Sequence, residues 1–126
     1  MIKGFHHFAV NTTDIERSAR FYRDVLGMKE KTRLSFDDGG YLIMMALGDT
    51  CVELFGGASP KGPESDRKEV GYVHLCLAVD DVDAEYRRIK DLGYDFYVEP
   101  RTFKGVLRCA FFRDPDGIPI EILQEL

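Results

Sequence analysis

Apolar and polar positions alternate along the chain in two rounds of one order: a strand, a helix, then three strands. In the first round, Phe5 to Asn11 has the two-residue period of a strand. Asp14 then opens a stretch of helical period that ends at Gly27, and Thr13 with Glu16 three residues later has the form of a capping box. Three further strands are predicted over Lys29 to Phe36, Tyr41 to Leu47 and Cys51 to Phe55.

The second round follows the same order. Asp81 opens its helical stretch and Gly93 ends it, after a predicted strand over Tyr72 to Val79. The remaining strands are predicted over Asp95 to Val98, Leu107 to Arg113 and Ile118 to Gln124, the last two as a hairpin around a type I turn. The chain is therefore predicted to be α+β, with tandem βαβββ modules over residues 1–56 and 70–126 and a linker rich in Gly, Pro and charge over 57–69.

Metal-type side chains recur at matching places in the two rounds. Glu53 lies 46 residues after His7, and Glu121 lies 47 residues after His74. A single strand histidine is usually structural, and a strand glutamate is often explained by a sheet edge that meets water. Four such residues at matched offsets favour a metal site instead, since a buried carboxylate needs a partner.

Strand parity predicts which way these side chains point. Val52 and Leu54 should face the helix, which places Glu53 on the opposite face, and the same test turns Glu121 away from its helix. Both histidines fall on that opposite face, whereas His6 is turned towards the helix and is interpreted as structural.

The last hairpin adds two residues to the predicted cavity face. If it contains no bulge, Ala110 pairs with Glu121, and Arg108 lies further along the same face.

Composition mainly excludes other classes of function. With 126 residues, 44% hydrophobic content and a net charge of −5 without a basic stripe, the chain is predicted to form a folded protein that binds neither nucleic acid nor membrane. Three cysteines without metal-type spacing suit a reducing compartment, and no apolar stretch has the form of a signal or a membrane span. A cytoplasmic location is expected.

Two segments resemble a known superfamily. The stretch from His7 to Gly27 and the stretch from Asp114 to Glu121 look like the vicinal oxygen chelate superfamily, which includes glyoxalase I and covers bleomycin resistance proteins and extradiol dioxygenases. The resemblance extends over nearly the whole chain. It implies two βαβββ modules that together form one domain, with their sheets in an open barrel around a metal ion.

Carried over by position, the resemblance implies that the metal ligands are His7, Glu53, His74 and Glu121. Two imidazoles and two carboxylates suit one divalent ion, with Zn or Ni first and Co, Mn or Fe as alternatives. Three ligands would have favoured an iron dioxygenase, so the fourth indicates a lyase or isomerase of the glyoxalase I type. Glu121 is then the first choice for the catalytic base, with Glu53 as its symmetric counterpart. An epimerase of a coenzyme A thioester or sugar-like acid, and a non-catalytic drug-binding protein, are the alternatives.

The substrate stays open. Bacterial glyoxalase I usually carries Arg four residues after its first histidine and Asn four after its first glutamate, but here Asn11 and Gly57 stand there, so the use of glutathione is not indicated. Candidate contacts for a small-molecule substrate are Asn11, Phe55, Lys104 and Arg108. The resemblance also implies a homodimer, with each metal bound by one chain or by two.

Overall fold

Two βαβββ units follow one another along the chain in the computed structural model, which describes residues 1–62 and 68–126. They are Met1–Lys61, the first unit, and Gly62–Leu126, the second unit. Each contains one helix and one open, mixed four-stranded sheet. The predicted α+β class and tandem order are confirmed. Residues 63–67 of the predicted linker lie outside the described residues, and the module boundaries stay a prediction.

The first unit packs its helix on one face of its sheet. Its elements are β1 (His7–Asn11), α1 (Ile15–Asp24), β2 (Lys29–Ser35), β3 (Tyr41–Leu47) and β4 (Thr50–Phe55). The strand order is β1-β4-β3-β2, with β1 parallel to β4 and the other pairs antiparallel. Tyr22 of α1 and Ile43 and Leu54 of the sheet are fully buried. Burial of these and the neighbouring apolar side chains stabilises the unit through the hydrophobic effect.

The second unit repeats this arrangement. Its elements are β5 (Leu75–Ala78), α2 (Val82–Asp91), β6 (Phe96–Phe103), β7 (Leu107–Arg113) and β8 (Pro119–Glu125). The order β5-β8-β7-β6 again places the first strand of the unit parallel to its last. Its core contains Ile89 from α2 with Phe112 and Ile120 from the sheet.

Both helices begin at an aspartate. The carboxylates of Asp14 and Asp81 each accept a hydrogen bond at 3.0 Å from the backbone N–H three residues later, which is the N-cap arrangement. The capping box predicted from Thr13 and Glu16 is therefore wrong. Glu16 does not turn back to the helix start because its carboxylate binds Arg33 and Tyr41 of the sheet.

The largest differences from the prediction concern three strand boundaries. β1 begins at His7 rather than Phe5, and β5 begins at Leu75 rather than Tyr72. β6 continues to Phe103 although Pro100 lacks an N–H, because β6 is an edge strand and its pairing shifts between Val98 and Arg101. Within the described ranges, neither helix has the length and apolar character to cross a membrane.

Candidate functional site

The parallel pairing of β1 and β4 brings His7 next to Glu53. In this register Ala9 is the partner of Glu53, so His7 lies two residues earlier on the same face. The His7 Nε2 and Glu53 Oε2 atoms are 3.4 Å apart, and the two side chains are 38% and 15% exposed.

His6 contacts the same imidazole from its other side. The Nδ1 atoms of His6 and His7 are 2.8 Å apart. One of these nitrogens must carry the proton, because a hydrogen bond needs a donor and an acceptor. When His7 donates from Nδ1, its Nε2 is left as a lone pair facing Glu53. His6 is exposed rather than packed under the helix.

The second unit contains the equivalent pair. The His74 Nε2 and Glu121 Oε2 atoms are 2.7 Å apart, and the side chains are 29% and 11% exposed. Glu121 is paired with Cys76 across the parallel β5 and β8 strands. His74 immediately precedes β5, so its ring reaches Glu121 from the N-terminal end of that strand.

A thiol also contacts the Glu121 carboxylate. Burial and the negative charge of Glu121, together with a hydrogen bond to it, raise the pKa of the Cys76 thiol to about 12. Cys76 is therefore protonated at neutral pH, and its thiol donates a hydrogen bond to the Glu121 carboxylate. An imidazole and a thiol both orient this carboxylate.

Apolar residues surround the donor pair of the first unit. Met44 is the partner of Glu53 on β3. Phe36 stacks on Phe55 with ring centroids 6.1 Å apart and planes 6° apart. Asn11 lies at the exposed end of β1, where it is the register partner of Phe55.

Aromatic and cationic residues surround the pair of the second unit. Phe111 is the partner of Glu121 on β7, and its ring lies edge-on to His74 at 5.3 Å. Tyr97 contacts Phe111 at 5.9 Å, and the guanidinium of Arg113 lies 4.3 Å from the Tyr97 ring centre. Together these rings and the guanidinium form an aromatic and cationic surface beside the carboxylate.

The predicted pairing of the last hairpin is wrong by one residue. Phe111, not Ala110, lies across from Glu121, while Ala110 pairs with Ile122 and is fully buried on the helix face. A shift of one residue turns every side chain to the other face.

Arg108 therefore points to α2, contrary to the prediction. Its Nε and Nη2 atoms donate to the Asp83 carboxylate at 2.6 and 2.7 Å. The Arg108 guanidinium correspondingly holds the pKa of Asp83 below its ordinary value.

Lys104 is in the turn between β6 and β7. Its backbone has a φ of 55°, in the left-handed region, and its ammonium group lies 5.8 Å from the Phe103 ring centre. It is exposed, in the turn that joins the edge strand β6 to β7.

Each donor pair supplies two possible metal ligands. Within residues 1–62 and 68–126 there is no group of three or more His, Cys, Asp and Glu side chains placed to hold a metal ion. The donor chemistry of each pair nevertheless fits a divalent ion, since a neutral imidazole Nε2 and a carboxylate oxygen already converge. Two such pairs are needed for four ligands.

Several residues of these faces were not singled out from the sequence. Phe111 and Tyr97 depend on the register of β7 and on the irregular pairing of β6, neither of which a single strand reveals. For His6, the adjacent histidine was a visible signal, but parity alone assigned it to the wrong environment.

Comparison with known proteins adds three kinds of similarity. Residues 4–122 match the model of the Glyoxalase/Bleomycin resistance protein/Dioxygenase superfamily. A lactoylglutathione lyase of Pseudomonas aeruginosa (strain PAO1) is 32% identical over 95% of this chain and 81% of its own length.

Two solved structures are also similar. The crystal structure of SMU.1112c superposes with a TM-score of 0.86 at 29% identity, covering 98% of this chain and 99% of the other. An antibiotic-binding protein, TnmS3 from Streptomyces sp. CB03234, superposes with a TM-score of 0.77 at 28% identity, covering 99% of this chain and 98% of its own.

Proposed function

Because the chain belongs to the glyoxalase/bleomycin resistance protein/dioxygenase superfamily, we propose that it is a metal-dependent lyase or isomerase of the glyoxalase I type. It removes a proton from the carbon next to a carbonyl and returns a proton to the substrate, whose vicinal oxygens are chelated by the metal. The observation that carries the proposal is the histidine–glutamate pair that recurs in both units. A relative named lactoylglutathione lyase supports the same reaction class.

We assign the metal ligands to these two pairs, supplied by one chain or by two: His7, Glu53, His74 and Glu121. The donor set suits Zn or Ni, and Co, Mn and Fe are also compatible. Four protein ligands leave up to two of about six positions for vicinal substrate oxygens. Withdrawal of Glu53 and Glu121 from water supports the assignment, because such carboxylates need a positive or hydrogen-bonded partner.

We assign proton transfer to Glu121, with Glu53 as its counterpart. When bound, the metal would stabilise negative charge on the chelated oxygens and acidify the neighbouring carbon. Glu121 is suited to take and return that proton because His74 and Cys76 orient its carboxylate and because its side chain is only 11% exposed. A base contributes about 10²- to 10⁴-fold when it is positioned in this way.

Asn11 and Phe55 would line the substrate on the first unit. Lys104 is not assigned to the site, because it lies in the turn between β6 and β7. Arg108 is left out because Asp83 already binds its guanidinium on the helix face.

The first test is the metal itself. Elemental analysis of the purified protein should find a bound divalent ion. Stripped protein should take up Zn or Ni again, whereas the single variants His7→Ala and His74→Ala should each lose most of this capacity. A matched control is Val73→Ala, which alters the residue beside His74 but lies outside the ligand set. No metal in the purified protein and none taken up by the stripped protein would reject the proposal.

The second test is proton exchange. The metal-loaded protein is incubated in deuterium oxide with hemithioacetals of methylglyoxal, formed with glutathione and with other thiols, and with a panel of 2-oxo and 2-hydroxy acids. NMR should show deuterium entering the carbon next to the carbonyl. Exchange into a coenzyme A thioester or sugar acid alone would indicate the epimerase instead.

A non-catalytic binding protein is the second candidate, favoured by the similarity to TnmS3 and by the aromatic surface of Phe111 and Tyr97. Such a protein would bind planar drug-like molecules with the same affinity before and after metal removal. Isothermal calorimetry with the loaded and stripped protein separates the two candidates. The homodimer and the cytoplasmic location stay predictions.

A further inference from the structure

We propose that Arg101 binds a distal carboxylate of the substrate, so that the substrate class is an acid whose carboxylate is separated from its chelating oxygens by a short chain. This inference rests on the proposed function. Arg101 is not part of the repeated histidine–glutamate pattern and is not one of the proposed metal ligands.

The strand register places Arg101 on the same face as Glu121. Arg101 is the partner of Cys109, and Cys109 is the partner of Leu123 on β8. Leu123 follows Glu121 by two residues and therefore shares its face. The next residue, Thr102, accepts a hydrogen bond from Arg108 on the helix face, which agrees with Arg101 pointing the other way.

Arg101 differs from the other arginines of this sheet because its charge is not engaged. Arg108 is bound by Asp83, and Arg113 donates to the Gly117 carbonyl and lies over Tyr97. Arg101 is exposed, and no hydrogen bond or ion pair joins it to any residue that the structure describes.

The distance suits a small substrate. Two strand spacings separate Arg101 from Glu121 by roughly 10 Å across the sheet, and the offset of two residues adds about 7 Å along it. An extended arginine side chain covers much of this separation. A carboxylate a few carbons away from oxygens held near Glu121 therefore comes within reach of the guanidinium, which binds carboxylates through two parallel hydrogen bonds.

The first unit has no cationic side chain at the position equivalent to Arg101. Met44 lies across from Glu53 as Phe111 lies across from Glu121, and one step further Leu34 pairs with Leu42 as Arg101 pairs with Cys109. Leu34 is thus the counterpart of Arg101, and it is half-exposed. The first unit thus has an apolar residue at the position where the second unit has an unengaged arginine.

Chelating hydroxamates test the inference without turnover. The probes are the monohydroxamates of succinic, glutaric and adipic acids, each compared with an uncharged alkyl hydroxamate of the same length. Affinities for the metal-loaded protein are measured by isothermal calorimetry. We expect at least one acid probe to bind about tenfold more tightly than its uncharged partner, and this preference to disappear in Arg101→Gln.

Two variants serve as comparisons. Arg108→Gln removes the same side chain from the same sheet but from the helix face, and it should keep the preference. Lys104→Gln removes the other exposed cation near β6, and it should keep the preference as well. Circular dichroism and metal content verify that each variant folds and is loaded.

Three outcomes would overturn the inference. They are equal binding of acid and uncharged probes, a preference that persists in Arg101→Gln, and a preference lost in Lys104→Gln instead. Each of these leaves the chelating site intact, because the uncharged hydroxamates still bind. If neither kind of probe binds the loaded protein, the proposed function itself is wrong and this inference with it.

Discussion

The two units have the same framework but different surroundings for their donor pairs. In each, the first strand runs parallel to the last, an aspartate begins the helix, and a histidine nitrogen meets a glutamate oxygen. The distance is 3.4 Å in the first unit and 2.7 Å in the second.

The neighbours of these pairs have diverged. The first unit places apolar Met44 and Leu34 on this face, where the second places Phe111 and Arg101. The framework and the donor pair are retained together because the strand register fixes both. Neighbouring side chains can change without disturbing the hydrogen bonds between the strands.

The largest expected difference between the two units is in proton exchange, and it is measured by changing each glutamate separately. Glu121→Gln should lower proton exchange by about 10²- to 10⁴-fold, because the amide cannot accept the proton. Glu53→Gln should lower it less, since Glu53 is assigned as a ligand more than as the base. Deuterium incorporation per bound metal is the measurement, so that loss of metal is separated from loss of the base. Equal losses in both variants would contradict the asymmetric assignment.

The two cores provide the next largest effect. Phe112 and Met45 are equivalent by register, each being the partner of the residue beside the glutamate, and each is almost completely buried. Phe112→Ala should destabilise the protein by about 3 to 5 kcal/mol and Met45→Ala by about 2 to 5 kcal/mol, because each leaves a cavity. Urea unfolding followed by circular dichroism measures both. A loss below about 1 kcal/mol at either position would show that the residue does not fill the core as described.

The contact between His6 and His7 exists in the first unit only, since Val73 precedes His74. His6→Ala should weaken metal affinity by about tenfold, because a ligand imidazole loses the acceptor that orients its Nδ1 proton. His6→Asn should retain most of the affinity through its side-chain carbonyl. Val73→Ala is the matched change in the second unit. Competition with a coloured chelator measures the affinities, and an effect of Val73→Ala equal to that of His6→Ala would argue against an orienting role.

Acid stability should show the smallest effect and the greatest similarity between the units. In both, an arginine of the sheet binds a carboxylate of the helix: Arg33 lowers the pKa of Glu16, and Arg108 lowers the pKa of Asp83. A carboxyl group with a lowered pKa stabilises the folded state above its unfolded pKa, and this contribution is lost as the pH falls through the folded value.

Arg33→Gln and Arg108→Gln should therefore lower the melting temperature at neutral pH by only a small amount, as exposed ion pairs contribute little. The difference from the unsubstituted protein should vanish at a pH below the lowered pKa values. Thermal melts over a pH series provide the measurement. A difference that persists at low pH would mean that the arginines act by packing rather than by charge.

Much of the fold could be read from local patterns. Helical spacing in α1 and α2, an aspartate before each helix and a glycine after it are properties of short segments, and they predicted both βαβββ units. The capping box predicted at the start of α1 does not form, because the Glu16 carboxylate binds Arg33 and Tyr41, which are distant in sequence. Tertiary partners decide the conformation of long polar side chains more than local propensity does.

The donor residues could be predicted from the sequence, but the residues around them could not. Parity along one strand is a local property, so the faces of Glu53 and Glu121 followed from their apolar neighbours. The face of Arg108 depended on the turn between β7 and β8, where one residue decides which strand positions meet, and the assumption of Ala110 opposite Glu121 turned it the wrong way.

The sequence by itself thus determined the duplicated order of elements, the residues that begin the helices and the four candidate metal ligands, because each depends on spacing within a short stretch. Only the tertiary structure decided which side chains stand beside those ligands. Phe111 and Arg101 reach the face of Glu121 through the registers of three strands, with irregular pairing in β6. Such registers are fixed by hydrogen bonds between distant segments, and they therefore appear only when the sheet has formed.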